Sequence, residues 1–500
     1  MDAAINNGVF NKSLGFKMTL INSMNQFAFK LFKMFASRHQ HDSKNMCFSP
    51  LEVFNSLVML LVGAKGMTET QLEDMLCLKD FNQPTKYKEL INLIKWIIKS
   101  NHEIMVYGTV IYVDHRMKLR PEYLEKVKSI FEIKPKPIDF SKINEAIYMI
   151  NKDAYEMTDG VIEGVISHKD LQDDDSQVKL VISNAVFFRG YWLFKFGDIH
   201  KEQFHYGSGS KTVQIDMMSH LGYHRYYYDE QLQAQTVSIA YASSDIRMVL
   251  IMPESITTEA ITLVDKLNAD KLLQLFWNLQ NQPKSLTELT IPRFALEAHK
   301  VSLQRSVKQM GARSIYDPET AQLNGICAND QRIHLTKLVH KAFILVDERG
   351  SHQYTSKVCS CFHVLPSINQ SIHDNLIMII YSLRQQQQPH THTQSHETSR
   401  FVKQKQIENA DTTQSLSLSK EHSENKRVKF KANHPFIFLI LDKITGVVCF
   451  MGVFADPTQI LEVVREQDLS NEEITQLLAE SDQKSFLDNI SIDSTSSSQS

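Results

Sequence analysis

The sequence predicts an α+β fold, with helices and strands segregated along the chain. Three observations point there. The first third carries apolar residues at helical spacing. The middle breaks into short runs rich in β-branched and aromatic residues. The segment HPFIFLILDKITGVVCFMGVFADP (His434 to Pro457) reads as two apolar strands joined by a turn at Lys443 to Gly446.

In chain order, MNQFAFKLFKMF places Phe27, Leu31 and Met34 on one helical face. Ser49-Pro50 opens a second helix with proline in its first turn, Gly63 and Gly66 end it, and Thr68 starts another. PTKYKELINLIKWIIKS predicts a further helix over Pro84 to Ser100. IMVYGTVIYVD has strand character, and VKLVISNAVFFRG (Val178 to Gly190) is the nearly unbroken apolar run of a strand covered on both faces. RMVLIMPE (Arg247 to Glu254) and LTELTIPRFALE (Leu286 to Glu297) read as one strand each. Ala342 to Val346 is a buried strand that runs into the polar stretch DERGSHQYTSKVCSCFHVLP.

Two segments fall outside the core pattern. Residues 367–426 are rich in Gln, His, Ser and Thr and predict a low-complexity insert, with one short apolar patch at Leu376 to Tyr381. After Pro457 comes an acidic tail, in which Ser470 and Glu473 have capping-box spacing. The expected organisation is an N-terminal extension (1–23), one domain (24–457) interrupted by the insert, and a mostly disordered tail (458–500).

Composition narrows the function. A net charge of −3 argues against a general binder of nucleic acid or membrane surfaces, and no run of about 18 apolar residues reads as a membrane span. The N-terminus lacks a basic end followed by an apolar stretch, so a cytoplasmic protein is expected, with an extracellular one as the alternative. The six cysteines are scattered without zinc spacing and predict reduced thiols, Cys359 and Cys361 being exposed and open to oxidation. No G-x-S-x-G, H-E-x-x-H, Walker or G-x-G-x-x-G pattern appears, so no enzyme, cofactor or metal site is expected. His220 and His224 are four apart in a strand-like stretch, where they do not share a helical face. His390, His392 and His396 offer at most weak metal binding. Lys88, Lys95 and Lys99, with Lys86 nearby, form a solvated helix face.

Seven motifs in order, FSPLEVFNSLVMLLVGAKGMTETQL, MTDGVIEGVI, ISNAVFFRGYW, IPRFALE, AQLNGI, LVHKAFILVDERG and HPFIFLILDKITGVVCFMGVFADP, make the chain similar to the serpin family from about Met24 to Pro457, apart from the insert. The resemblance implies three β-sheets, about nine helices and an exposed reactive-centre loop after AFILVDE. It implies inhibition of a serine protease: the protease cleaves the loop, and the loop then enters the largest sheet as a new central strand. A monomer is expected.

The resemblance also assigns residues. The hinge comprises Glu348, Gly350, Ser351, His352, Gln353, Tyr354, Thr355 and Ser356. Ser351, Gln353, Thr355 and Lys357 would face inward on insertion. The family favours small residues here, so Gln353, with a buried amide, and Lys357, with a buried charge, slow the step. Family spacing puts the scissile bond at Val364-Leu365, which suits an elastase-like protease. Phe362-His363 is the second choice and suits a chymotrypsin-like one. A non-inhibitory serpin, a binding or substrate-like protein, is the alternative reading. Ser49, Glu52, Asn184 and His340 match the region that opens the sheet, and Trp192 matches the point where insertion begins. The family usually has serine where Glu52 stands. Asn184 and His340 are expected to hydrogen-bond across the opening strands, and Glu52 to pair with His340 as an ion pair.

Overall fold

The computed structural model describes residues 2–39, 44–79, 90, 92–97, 105–172, 178–242, 244–297, 301–327, 332–351 and 427–459. Ten helices fall within them: α1 (Asp2–His39), α2 (Pro50–Leu61), α3 (Gly66–Met75), α4 (92–97), α5 (Pro121–Phe131), α6 (Ile143–Met157), α7 (His168–Gln172), α8 (Ile261–Lys266), α9 (Ala269–Asn281) and α10 (Leu303–Gln309). Helix α2 is buried along its whole length, between the sheets. It starts where the sequence says it should: the Ser49 hydroxyl accepts from Glu52 N–H at 3.3 Å, and Pro50 follows at the first helical position. Helix α1 begins well before Met24, and it already contributes Leu20 and Ile21 to the core.

The strands are β1 (Met46–Phe48), β2 (Met105–Asp114), β3 (Lys136–Ile138), β4 (Leu180–Phe188), β5 (Gly190–Tyr191), β6 (Asp198–Tyr206), β7 (Lys211–Asp229), β8 (Ala234–Ala240), β9 (Ile246–Pro253), β10 (Ser285–Pro292), β11 (Phe294–Glu297), β12 (Val301–Ser302), β13 (Lys337–Val346), β14 (Gly350–Ser351), β15 (Val428–Lys431), β16 (Phe436–Asp442) and β17 (Val448–Phe454). They form three sheets, with β5 and β14 as a separate two-stranded ladder. The large sheet has the order β11-β13-β4-β2-β3, with β12 also against β13. The long strand β7 serves the other two. Its first part pairs with β6 and β10, and β15 extends β10; its last five residues pair with β8, continuing through β9, β16 and β17 to β1. This three-sheet α+β architecture is the serpin fold.

The run Leu286 to Glu297 differs from its reading as one strand. Pro292 has no N–H to extend the ladder, so β10 ends there and β11 joins the large sheet beyond Arg293. Strand β4 is buried at every residue, because it has the main core on one face and the α6 layer on the other. In that outer layer Ala146, Ile150 and Ala154 of α6 pack toward Tyr112 and Ala185, and Tyr112 Oη donates to Asp153 Oδ2 at 2.6 Å.

Candidate functional site: the head and seam of the large sheet

Strands β13 and β4 are parallel and in register over eight residue pairs, from Lys337↔Val181 to Ile344↔Phe188. The chain leaving β13 turns back at Asp347. Asp347 Oδ1 accepts from the N–H groups of Arg349 (2.8 Å) and Gly350 (3.1 Å), which closes the turn. Gly350 is then bonded on both flanks: its carbonyl accepts from Asp347 N–H at 2.8 Å, and β14 pairs antiparallel with β5 through Gly350↔Tyr191 and Ser351↔Gly190. Only glycine fits at 350. Its φ is +156°, and a Cβ there would stand 2.1 Å from Gly190 O.

The head of the sheet is finished by side chains. Trp192 is buried, stacks on Tyr241 at 4.4 Å, and donates from Nε1 to Asp347 O at 2.8 Å. Ser351 is fully buried, with its hydroxyl 2.8 Å from Tyr241 Oη. Glu348 forms an ion pair with the buried Arg293 (Nε to Oε2, 3.2 Å). The remaining hinge residues His352, Gln353, Tyr354, Thr355 and Ser356, together with Lys357 and both bonds considered for cleavage, Val364-Leu365 and Phe362-His363, lie outside the described residues.

Below the head, register brings three polar residues into one row across three strands: His340 on β13, Asn184 on β4 and Thr109 on β2. Helix α2 supplies their partners. Asn184 Nδ2 donates to Ser56 Oγ and to Thr109 Oγ1, each at 2.7 Å, and Thr109 Oγ1 donates to Glu52 Oε2 at 3.0 Å. Ser49 N–H donates to His340 Nε2 at 3.0 Å, and Ser49 Oγ donates to Cys449 O at 2.7 Å. Because Nε2 accepts, neutral His340 carries its proton on Nδ1.

Two expectations are corrected here. Glu52 and His340 do not form an ion pair. Burial pushes the Glu52 carboxyl up to about 7, with the Thr109 hydroxyl and then the Asn55 amide pulling the other way, and burial pushes His340 down to about 3. Two charges taken out of water together would need close geometry and further partners, and here each ring or carboxyl instead takes a separate neutral donor. Nor does Asn184 bond His340. Its amide N–H groups go to Ser56 and Thr109, which leaves Asn184 Oδ1 and His340 Nδ1 buried without partners among the described residues.

On the opposite face, Lys341 of β13 donates from Nζ to Gly164 O at 3.0 Å. The segment after α6 is held in place by Asn151, whose Oδ1 accepts from the N–H groups of Val165 (2.9 Å) and Ile166 (3.0 Å). Val165 and Ile166 share a cluster with Val181 and Ala185 of β4, while Phe343 of β13 packs against it. The strap therefore crosses the β4–β13 seam.

Sequence reasoning missed Thr109, Ser56, Tyr241 and Lys341. Each is an ordinary strand or helix residue until the register and the helix placement are known. His220 and His224, discounted as a metal pair from the sequence, nevertheless share a face. Even spacing keeps both on one face of β7, and their rings meet edge to face at 5.5 Å. Among the described residues, no group of three metal-ligating side chains forms. Of the four helix lysines, Lys95 is described, and its amine donates to Ser129 O.

Comparison with known proteins agrees with this geometry. The family model described as Serpin (serine protease inhibitor) matches residues 22–457. Serpin A3-3 of Bos taurus is 29% identical over 338 residues, 67% of this chain and 78% of the relative. Serpin B11 of Mus musculus is 26% identical over 344 residues, 65% of this chain and 86% of the relative. Among solved structures, a crystal structure of maspin aligns with a TM-score of 0.67 at 19% identity, covering 89% of this chain and all of that one. A thyroxine-binding globulin in complex with thyroxine aligns with a TM-score of 0.64 at 20% identity, covering 87% and 99%. The chain belongs to the serpin family.

Proposed function

We propose that this protein inhibits a serine protease by inserting its cleaved loop between β4 and β13. One observation carries the reading: at Gly350 the returning chain is already hydrogen-bonded to both flanking segments, at the head of the seam it would enter. A segment that turns back from β13 runs antiparallel to it. Because β4 is parallel to β13, the same segment is antiparallel to both. Each residue that zips in replaces one parallel ladder by two antiparallel ones, which are slightly more stable per residue.

The magnitudes decide how good an inhibitor results. An extra backbone hydrogen bond contributes about 1 kcal/mol net, and ordering a residue costs about 1–2 kcal/mol. The backbone alone therefore barely drives insertion, and the buried side chains decide at about 25 cal/mol per Å² of apolar area. Ser351 already sits in its buried position. By the two-residue alternation, Gln353, Thr355 and Lys357 follow it inward, and a buried, unpaired Lys357 opposes the step by several kcal/mol. The predicted inhibitor is slow, with some acyl-enzyme hydrolysed before insertion is complete.

Val364-Leu365 favours an elastase-like target and Phe362-His363 a chymotrypsin-like one. The protein acts as a monomer. The unpaired thiols of Cys47, Cys327 and Cys449 support a reducing, cytoplasmic setting. Incubation with elastase and with chymotrypsin tests the reading: it requires a covalent complex that survives denaturant. Cleavage without complex, and without a gain in thermal stability, supports the second reading, a non-inhibitory serpin. The buried Glu52 at the seam is the observation that favours that alternative.

A further inference from the structure

A cavity of about 900 Å³ lies beside the seam cluster, among α4, α5 and β2. Its walls are largely apolar, with Ile94, Val110, Phe131 and Met157 among them. Its polar lining includes Glu52 and Asn55 of α2, both at least 95% buried. Glu52 Oε1 and Asn55 Oδ1 have no hydrogen-bond partner among the described residues. Two buried acceptors left open in one apolar chamber are unusual, since buried polar groups in native proteins are almost always satisfied. Both lack a donor. Leaving such a group unsatisfied costs about 1–3 kcal/mol, and more for a charged one.

We infer that this cavity is a binding site for a small primary amine, an ammonium head on an apolar body of a few carbons. An ammonium brings three donors and no acceptor, which matches a carboxylate oxygen and an amide oxygen. It also supplies the positive charge that His340 does not give Glu52. The apolar walls take the hydrocarbon, as in small-molecule sites where a few polar groups fix orientation. The cationic rim does not close the site to an amine. Lys136 is paired with Asp153 at 2.6 Å, Lys95 is turned onto Ser129 O, and Glu132 lines the cavity as well as Lys134. The site does not depend on cleavage of the loop, so binding and inhibition are separate measurements.

The test is calorimetric titration of the full chain at pH 7.5 with hexylamine, alongside hexanoate and hexan-1-ol. The expected result is saturable one-to-one binding of hexylamine, at least tenfold weaker binding of hexan-1-ol, and none of hexanoate. Glu52→Gln removes the charge while keeping the shape, and it should weaken hexylamine at least tenfold. Ile130→Trp fills the mouth of the cavity from α5 without touching Glu52, and it should abolish binding even if the first variant folds poorly. No saturable heat, equal binding of hexanoate, or unchanged affinity in Glu52→Gln would overturn the site and leave the two oxygens to water alone.

Discussion

Gly350 shows how much one missing carbon can decide. A methyl group at that position would lie 2.1 Å from Gly190 O and 2.6 Å from Tyr191 Cα, both backbone atoms that cannot swing aside. Gly350→Ala should therefore detach β14 from β5 and lower stability by roughly 1–3 kcal/mol. Denaturant unfolding measures the loss, and hydrogen exchange at Ser351 locates it. Glu52 and His340 make a second prediction, through pH. Glu52 is raised from 4.5 to about 7, so the folded state holds a proton that the unfolded state has lost. Its contribution is complete below about pH 4.5 and disappears as pH rises through 7, a change on the order of 3 kcal/mol. His340 is lowered from 6.5 to about 3, so its contribution is complete above pH 6.5 and is lost as pH falls toward 3. The two slopes oppose each other between about pH 4.5 and 6.5, and stability from this pair should be flat there. Glu52→Gln removes one slope and should expose the other, giving stability that climbs steadily with pH from about 3 to 6.5. A variant whose unfolding midpoint stays flat across that range would sink the assignment.

The large sheet is held shut from both faces, and the two fastenings differ in kind. Beneath it, α2 grips the seam through polar bonds to β4 and β13. Above it, the strap after α6 is tied by the bond from Lys341 to the Gly164 carbonyl and by the packing of Val165 and Ile166 on β4. Lys341→Ala should cost about 1 kcal/mol in the native state and speed insertion of the cleaved loop, read as a higher fraction of trapped protease. Replacing Gln353 and Lys357 together by alanine should act on the entering strand instead. It should raise the ratio of complex to cleaved product severalfold without changing native stability. These elements also show where sequence reading succeeds. Helix α2, β4, β16 and β17 were legible because capping, proline placement and unbroken apolar runs are local signals. The split at Arg293 was half-visible, since Pro292 announces a break but not a change of sheet. In the row His340–Asn184–Thr109, the family resemblance brought the first two together, but Thr109 was not legible, because it joins them only once three distant strands have found their register. The same holds for the Glu52 partnership: the sequence shows an acid on a buried helix, and only the placement of Thr109 beside it shows that a neutral hydroxyl takes the place of a charge.

Across the molecule, the open feature is a central parallel pair, β4 and β13, in a sheet that could become more fully antiparallel by admitting one strand. A chain with that alternative available is held in its present form by the cost of parting the seam. Cleavage in the loop should therefore raise the thermal unfolding temperature, because the freed segment can fill the place between the strands. Scanning calorimetry before and after limited proteolysis checks this, and an unchanged transition would count against a metastable fold.

The sequence after residue 426 adds a consequence for any such cut. Strand β15 is bonded to β10, β16 lies between β9 and β17, and β17 is bonded to β1, with β16 and β17 buried at every residue. A nick anywhere in 352–426 thus severs the polypeptide without dividing the particle. The spent protein should migrate as one species until it is denatured, and only then separate into two peptides, the smaller carrying one edge strand and two strands from the interior of the larger.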